Sequence, residues 1–213
     1  MTSGRETPRA NRLEYGRADF VNRSFSTVLV ILIILCGCYW PSPPASASAA
    51  KKHPAYEDSE GYALLSLALL RAIPDPQNSA IYINEHTSMV DDRDAFSLVK
   101  CVKLPPEFRE AADDYLRKGK TALTLRERFV LGTSYSLLSA SGGVPKLEIK
   151  GSKKFIGTFD VSAVGFDQAR TRAVLRINNV CGSLCGGGNY YFFLKGENGW
   201  EEVKSIPKCT WVY

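Results

Sequence analysis

The sequence predicts an α+β domain, with two or three N-terminal helices packed on an antiparallel β-meander. Three observations predict it. Apolar residues recur at helical spacing between residues 59 and 73 and again between 105 and 116. Beyond residue 146 the period changes to strict alternation, in segments too closely spaced for parallel crossovers, which need a dozen or more residues. Helices come first and strands afterwards, which puts the helices together on one sheet face.

Each element has its own local warrant. Asp58, Ser59 and Glu60 cap a first helix whose apolar side carries Tyr62, Leu64, Leu65, Leu67, Leu69, Leu70 and Ile73, and Pro74 stops it. Pro74, Asp75 and Pro76 make a turn into Ala80 to Asn84, a β-rich strand. Pro105 and Pro106 open a second helix with Phe108, Ala111, Ala112, Tyr115 and Leu116 as its stripe. Thr124 and Glu127 match a capping box, which predicts a short third helix ended by Gly132.

Strands follow. Leu147 and Ile149 alternate with lysines and Glu148; Phe159, Val161 and Ala163 alternate with polar neighbours; so do Ala173, Leu175 and Ile177. Tyr190 to Lys195 and Trp200 to Val203 complete the run. Turns are expected at 166–170, 181–188 and 196–199, with Gly182 and Gly186 to Gly188 supplying positive φ in a wide hairpin loop.

Residues 1–49 read as a signal peptide or membrane anchor, 50–58 as a polar linker, and 59–213 as a single α+β domain. Five arginines precede an unbroken apolar run from Val28 to Trp40, and an Ala-Ser tract with Ala-x-Ala sites follows it. The preferred cut is after Ala49. Two other outcomes fit the segment: an uncut anchor over residues 25–40, and lipidation at Cys38, where Leu35 to Cys38 resembles a bacterial lipobox. Thirteen helical residues reach only about 20 Å against a bilayer core near 30 Å, which favours cleavage. In all three cases the domain is exported, periplasmic or secreted, and matures where thiols are oxidised.

At 45% apolar and 23% charged residues, the 213-residue chain is neither a disordered polar chain nor a multi-span membrane protein. After residue 49, 22 basic side chains face 19 acidic ones, interspersed, so no basic stripe marks a nucleic-acid partner. The membrane is reached only through the N-terminal segment.

Cys101, Cys181, Cys185 and Cys209 remain after export, and an even count in an oxidising compartment predicts two disulfides. Proximity favours Cys181–Cys185, and elimination leaves Cys101–Cys209. By chain entropy the short ring contributes about 2 kcal/mol and the long one nearly 5. A redox-active Cys181/Cys185 pair is the alternative function, but no helix follows to lower a thiolate pKa. A four-cysteine zinc site is disfavoured because Cys101 and Cys209 are isolated.

Residues 157–203 resemble the C-terminal part of a family of uncharacterised exported bacterial proteins. The resemblance is carried by Val164-Gly165-Phe166, Arg172-Ala173, the Cys-Gly-x-Leu-Cys-Gly motif at 181–186, Tyr190-Tyr191 and Gly199-Trp200. It covers about a quarter of the chain and implies no activity.

No catalytic constellation, metal set or cofactor motif emerges. His53 lies in the expected linker, and His86 lacks a nucleophile motif such as G-x-S-x-G. Asp91 to Asp94 lacks the glycine and glutamate of a calcium loop and reads as solvated. The aromatic strand is the remaining candidate. Alternation puts Tyr190 and Phe192 on one face and Tyr191 and Phe193 on the other. With the first set turned to the helices, Tyr191 and Phe193 form a candidate binding face for an envelope protein, peptide or glycan; the competing expectation is that both faces are covered. The functional expectation is an exported cell-envelope domain acting as a non-enzymatic binding, inhibitory or structural module.

Overall fold

The computed structural model describes residues 52–100, 102–139, 153–182, 185–207 and 210–212. Helix α1 (Ser59–Ala72) starts where Asp58 accepts the Gly61 amide at 3.0 Å, and it ends just before Pro74. Strand β1 (Ser79–Asn84) follows, then α2 (Asp92–Lys100), a 3₁₀ turn (Pro106–Phe108) and α3 (Arg109–Lys118). The remaining strands are β2 (Ser134–Leu138), β3 (Lys154–Val161), β4 (Gly165–Phe166), β5 (Arg172–Gly182), β6 (Cys185–Gly196), β7 (Gly199–Glu202) and β8 (Trp211–Val212). The α+β class holds. No helix among the described residues is long and apolar enough to cross a membrane.

The strands form one mixed sheet in the order β2-β1-β3-β5-β6-β7, with β4 on β5 and β8 on β6. From β3 onward every pairing is antiparallel, as in the expected meander. β1 is different. It lies parallel to both β2 and β3, pairing Ile81 with Tyr135 and Ile83 with Phe159. The chain between β1 and β2 carries α2 and α3, long enough for a parallel crossover.

The helices do not share one sheet face, which corrects the expectation. α1 covers Ile81, Ile83, Phe159, Leu175, Ile177, Tyr191 and Phe193, whereas α2 and α3 pack with Val174, Tyr190 and Phe192 on the opposite side. The reason is in β5 and β6. Both are apolar at odd and even positions over Ala173–Leu175 and Tyr190–Phe193, the pattern of strands buried on two sides. Each such buried side chain contributes about 1.5–3 kcal/mol relative to exposure.

Three local expectations also change. No helix forms at 124–132. Thr124 instead bridges Ala55 and His86 in short β-contacts, and the Arg126 and Val130 amides donate to Tyr62 Oη and Ser66 Oγ of α1. Tertiary partners satisfy the backbone there, so the capping-box propensity loses. The acidic run from Asp91 is not a solvated loop: Asp91 caps α2, accepting the Arg93 and Asp94 amides, and Asp94 turns inward. The 181–188 segment is not a wide turn either, because Gly186, Gly187 and Gly188 pair with Val180, Asn179 and Asn178 in the ladder. The alternation at Leu147 and Ile149 and the Cys101–Cys209 pairing lie outside the described residues.

Candidate functional site

The expected binding face is not one. Tyr191 and Phe193 are only 3% and 2% exposed, packed beneath α1. Burial, with the Glu202 charge nearby, pushes the Tyr191 phenol up to about 12. Tyr190 and Phe192 are buried on the other side. The aromatic strand is core on both faces, as the competing expectation had it.

A groove opens instead where α1 ends. Helix α1 stops before Pro74, and among the described residues no other α-helix packs on that side of the sheet beyond Ala72. In the row Phe159–Asn179–Gly187 the third position has no side chain, which lowers the floor. The resulting cavity of about 390 Å³ is bounded by Arg71 and Ala72, by Asn179, by Asn189 and Thr210, and by Cys181 and Cys185. Those two cysteines form the expected disulfide. Glu202 lies 3.9 Å from the Arg71 guanidinium, and its side chain is 8% exposed, so the one cationic wall has a counter-charge beside it. Thr210 Oγ1 donates to Asn189 Oδ1 at 2.5 Å. Amides, a hydroxyl and a compensated guanidinium above the buried Phe159 and Ile177 suit a neutral, hydrogen-bonding ligand.

The groove depends on how α1 is held at its other end. Arg170 sits at φ 52, in the left-handed region unusual for a side chain of its size. That conformation places its guanidinium 3.8 Å over the Phe166 ring and in contact with Asp58 at 2.9 Å and Glu60 at 2.8 Å. Glu60 also accepts Lys195 Nζ at 2.7 Å and Trp200 Nε1 at 3.0 Å. Burial works against the Glu60 charge, but these donors outweigh it and bring the carboxyl down to about 2. The first turn of α1 is thereby tied to the β4–β5 turn and to β6 and β7. Gly165 serves the opposite face: a Cβ there would lie 2.2 Å from the Ala111 carbonyl of α3.

The two imidazoles of the chain also meet, although they lie 33 positions apart. The His53 and His86 rings are edge-on at 4.6 Å, and Glu85 Oε1 stands 3.5 Å from His86 Nδ1. The segment carrying His53 is held down, since the Thr124 amide donates to Pro54 and the Tyr56 amide donates to Thr124. Beside His86 a second hollow of about 250 Å³ is lined by Asn84, Glu85, Leu138 and Asp160. Among the described residues no three His, Cys, Asp or Glu side chains converge on a metal position.

Compared with protein-family models, curated proteins and solved structures, the chain matches none. The site therefore has to be read from its own residues. Sequence reasoning missed Arg71, Asn179, Asn189 and Thr210. One signal was present: Asn178 and Asn179 occupy strand positions where β-branched residues are usual, next to a glycine tract that also pairs as strand.

Proposed function

We propose that this chain is an exported cell-envelope domain that acts by non-covalent binding, with the groove at the end of α1 as its recognition site. The observation that carries the reading is the 390 Å³ hollow between Arg71, Asn179 and Thr210, walled by a disulfide. The Cys181–Cys185 bond suits an oxidising compartment, in keeping with the Arg-bearing leader and apolar run of residues 1–49. The ligand is a neutral polar group on the scale of a sugar ring or a dipeptide, presented by an envelope peptide or glycan.

Protein-observed NMR titration tests this, with N-acetylglucosamine oligomers and alanine peptides as probes. Shifts concentrated at Arg71, Asn179, Asn189 and Thr210 are the expected result. Shifts absent from these residues at millimolar probe would sink the reading.

The disulfide is also compatible with a thiol–disulfide enzyme. Its position speaks for a staple: it joins two strands, and among the described residues no helix N-terminus adjoins it to stabilise a thiolate. Rapid reduction of a dithiol-reactive substrate by the reduced protein, lost in Cys181→Ser, would reverse that preference.

A further inference from the structure

We propose that the Cys181–Cys185 disulfide is a redox latch on the groove: closed, it holds the glycine floor in the sheet, and opened, it frees the glycine stretch of β6 alone. The inference rests on reading the groove as the binding site and concerns that site's regulation.

Asn178, Asn179 and Val180 are held from the other side by β3, but the glycine arm opposite them on β6 has little else among the described residues to hold it. Three of the hairpin's ladder pairs, Asn178–Gly188, Asn179–Gly187 and Val180–Gly186, each put a glycine opposite a side chain. None can form the cross-strand side-chain contact that stabilises a sheet, and glycine loses the most chain entropy on ordering. Beyond them the register is irregular between Val180 and Gly182, and Val180 is exposed. Among the described residues the far edge of the glycines carries two pairs to β8, Gly187 with Val212 and Gly188 with Trp211. Inward, past Ile177–Asn189 and Arg176–Tyr190, the situation reverses: Leu175 pairs with Tyr191, Val174 with Phe192 and Ala173 with Phe193, all buried. The latch therefore controls a short segment that ends where packing begins.

That segment is the groove's floor, and the disulfide is its wall. Both cysteines are exposed, within reach of a soluble dithiol. The dithiol gives two electrons and two protons, its own sulfurs joining as a disulfide while the Cys181–Cys185 S–S bond breaks to two thiols. The freed glycines leave the ladder, and the surface that Asn179 and Asn189 present is lost.

Hydrogen exchange on the full chain, without any ligand, tests the latch. Cys181→Ser/Cys185→Ser is compared with the oxidised protein. Amides of residues 186–188 are expected to exchange up to about 30-fold faster, the factor that chain entropy assigns to a five-residue ring. Amides of residues 173–177 and 190–194 are expected to keep their protection. Reducing the wild type with dithiothreitol and then reoxidising it should remove and restore protection over the same residues. Unchanged exchange at 186–188 overturns the proposal. So does loss spreading to Leu175, Tyr191 and Phe193, or a double variant that fails to fold, since either makes the bond a global staple. A failed ligand titration with a normal exchange result counts against the binding site and leaves the latch standing.

Discussion

The Tyr190 hydroxyl donates to the Asp94 carboxylate across 2.7 Å, inside the layer between the sheet and helices α2 and α3. Arg176 reaches the same carboxylate oxygen from β5 and also donates to Ser88 Oγ and the Met89 carbonyl, each at 3.2 Å. Burial and the bond to Asp94 both raise the Tyr190 phenol well above its ordinary value, so it stays a neutral donor. One carboxylate thus ties α2 to two central strands.

Asp94→Ala should be among the most damaging single changes. It strands the Arg176 guanidinium, whose side chain is 11% exposed, without its counter-charge. The expected loss is about 3–5 kcal/mol. Tyr190→Phe removes one hydrogen bond to a charged group and should cost about 1.5–3 kcal/mol. Urea denaturation of the two variants checks the order, and equal losses would contradict it.

The clasp at Glu60 gives the stability a pH signature. Its carboxyl titrates near 2 in the folded protein and at about 4.5 as a free side chain, so the folded state favours the charged form. The stabilisation is complete above pH ~4.5 and disappears as pH falls from there through 2. Asp167, also lowered against burial by the Arg172 and Thr171 donors, adds to the same acid limb. Thermal midpoints measured between pH 2 and 7 should fall more gently for Glu60→Gln than for the wild type. Parallel curves would mean the clasp adds nothing to folding.

Gly165→Ala should be poorly tolerated. A Cβ there meets the Ala111 carbonyl at 2.2 Å and the Tyr115 amide at 2.3 Å, both backbone atoms of α3 that cannot rotate away. Displacing the helix should cost about 1–3 kcal/mol or more. At Gly196 the nearest atom to a Cβ is 3.8 Å away, so Gly196→Ala is the matched control and should stay near wild type. Circular-dichroism melts of the two separate steric clash from a general effect of losing glycine.

Phe193→Ala distinguishes core from surface. Because Phe193 lies under α1, truncation should cost about 3–5 kcal/mol and shift the denaturation midpoint sharply. A change below about 0.5 kcal/mol, the scale of an ordinary surface substitution, would restore the ring to a solvent face.

Local signals were readable wherever one segment decides its own state. Asp58 and Pro74 bound α1 as expected, Pro106 leads into α3, and Cys181 finds Cys185 four positions on. What failed to show locally was set by distant partners. Thr124 is strand-like because residues 54–56 and His86 need its backbone, and nothing between 120 and 132 announces that. Leucine-rich α1 hides which sheet face it covers. The doubly apolar run from Tyr190 to Phe193 did carry the information that helices lie on both sides, but alternation alone splits it into one buried and one open set. The groove was the least legible part, because it is made by the end of α1 before Pro74 and by three glycines without side chains.

The place of β1 has a consequence for how the chain is made. Ser79–Asn84 cannot complete its pairing until Ser134–Leu138 and Lys154–Val161 have both been synthesised. Until then Ile81 and Ile83 have no lateral neighbours, and sequence-distant pairings of this kind slow folding and leave sticky intermediates. The C-terminal hairpins, by contrast, close on nearest neighbours. A nascent polypeptide therefore emerges with its oldest strand waiting longest, a natural client for any factor that keeps chains extended until synthesis is finished.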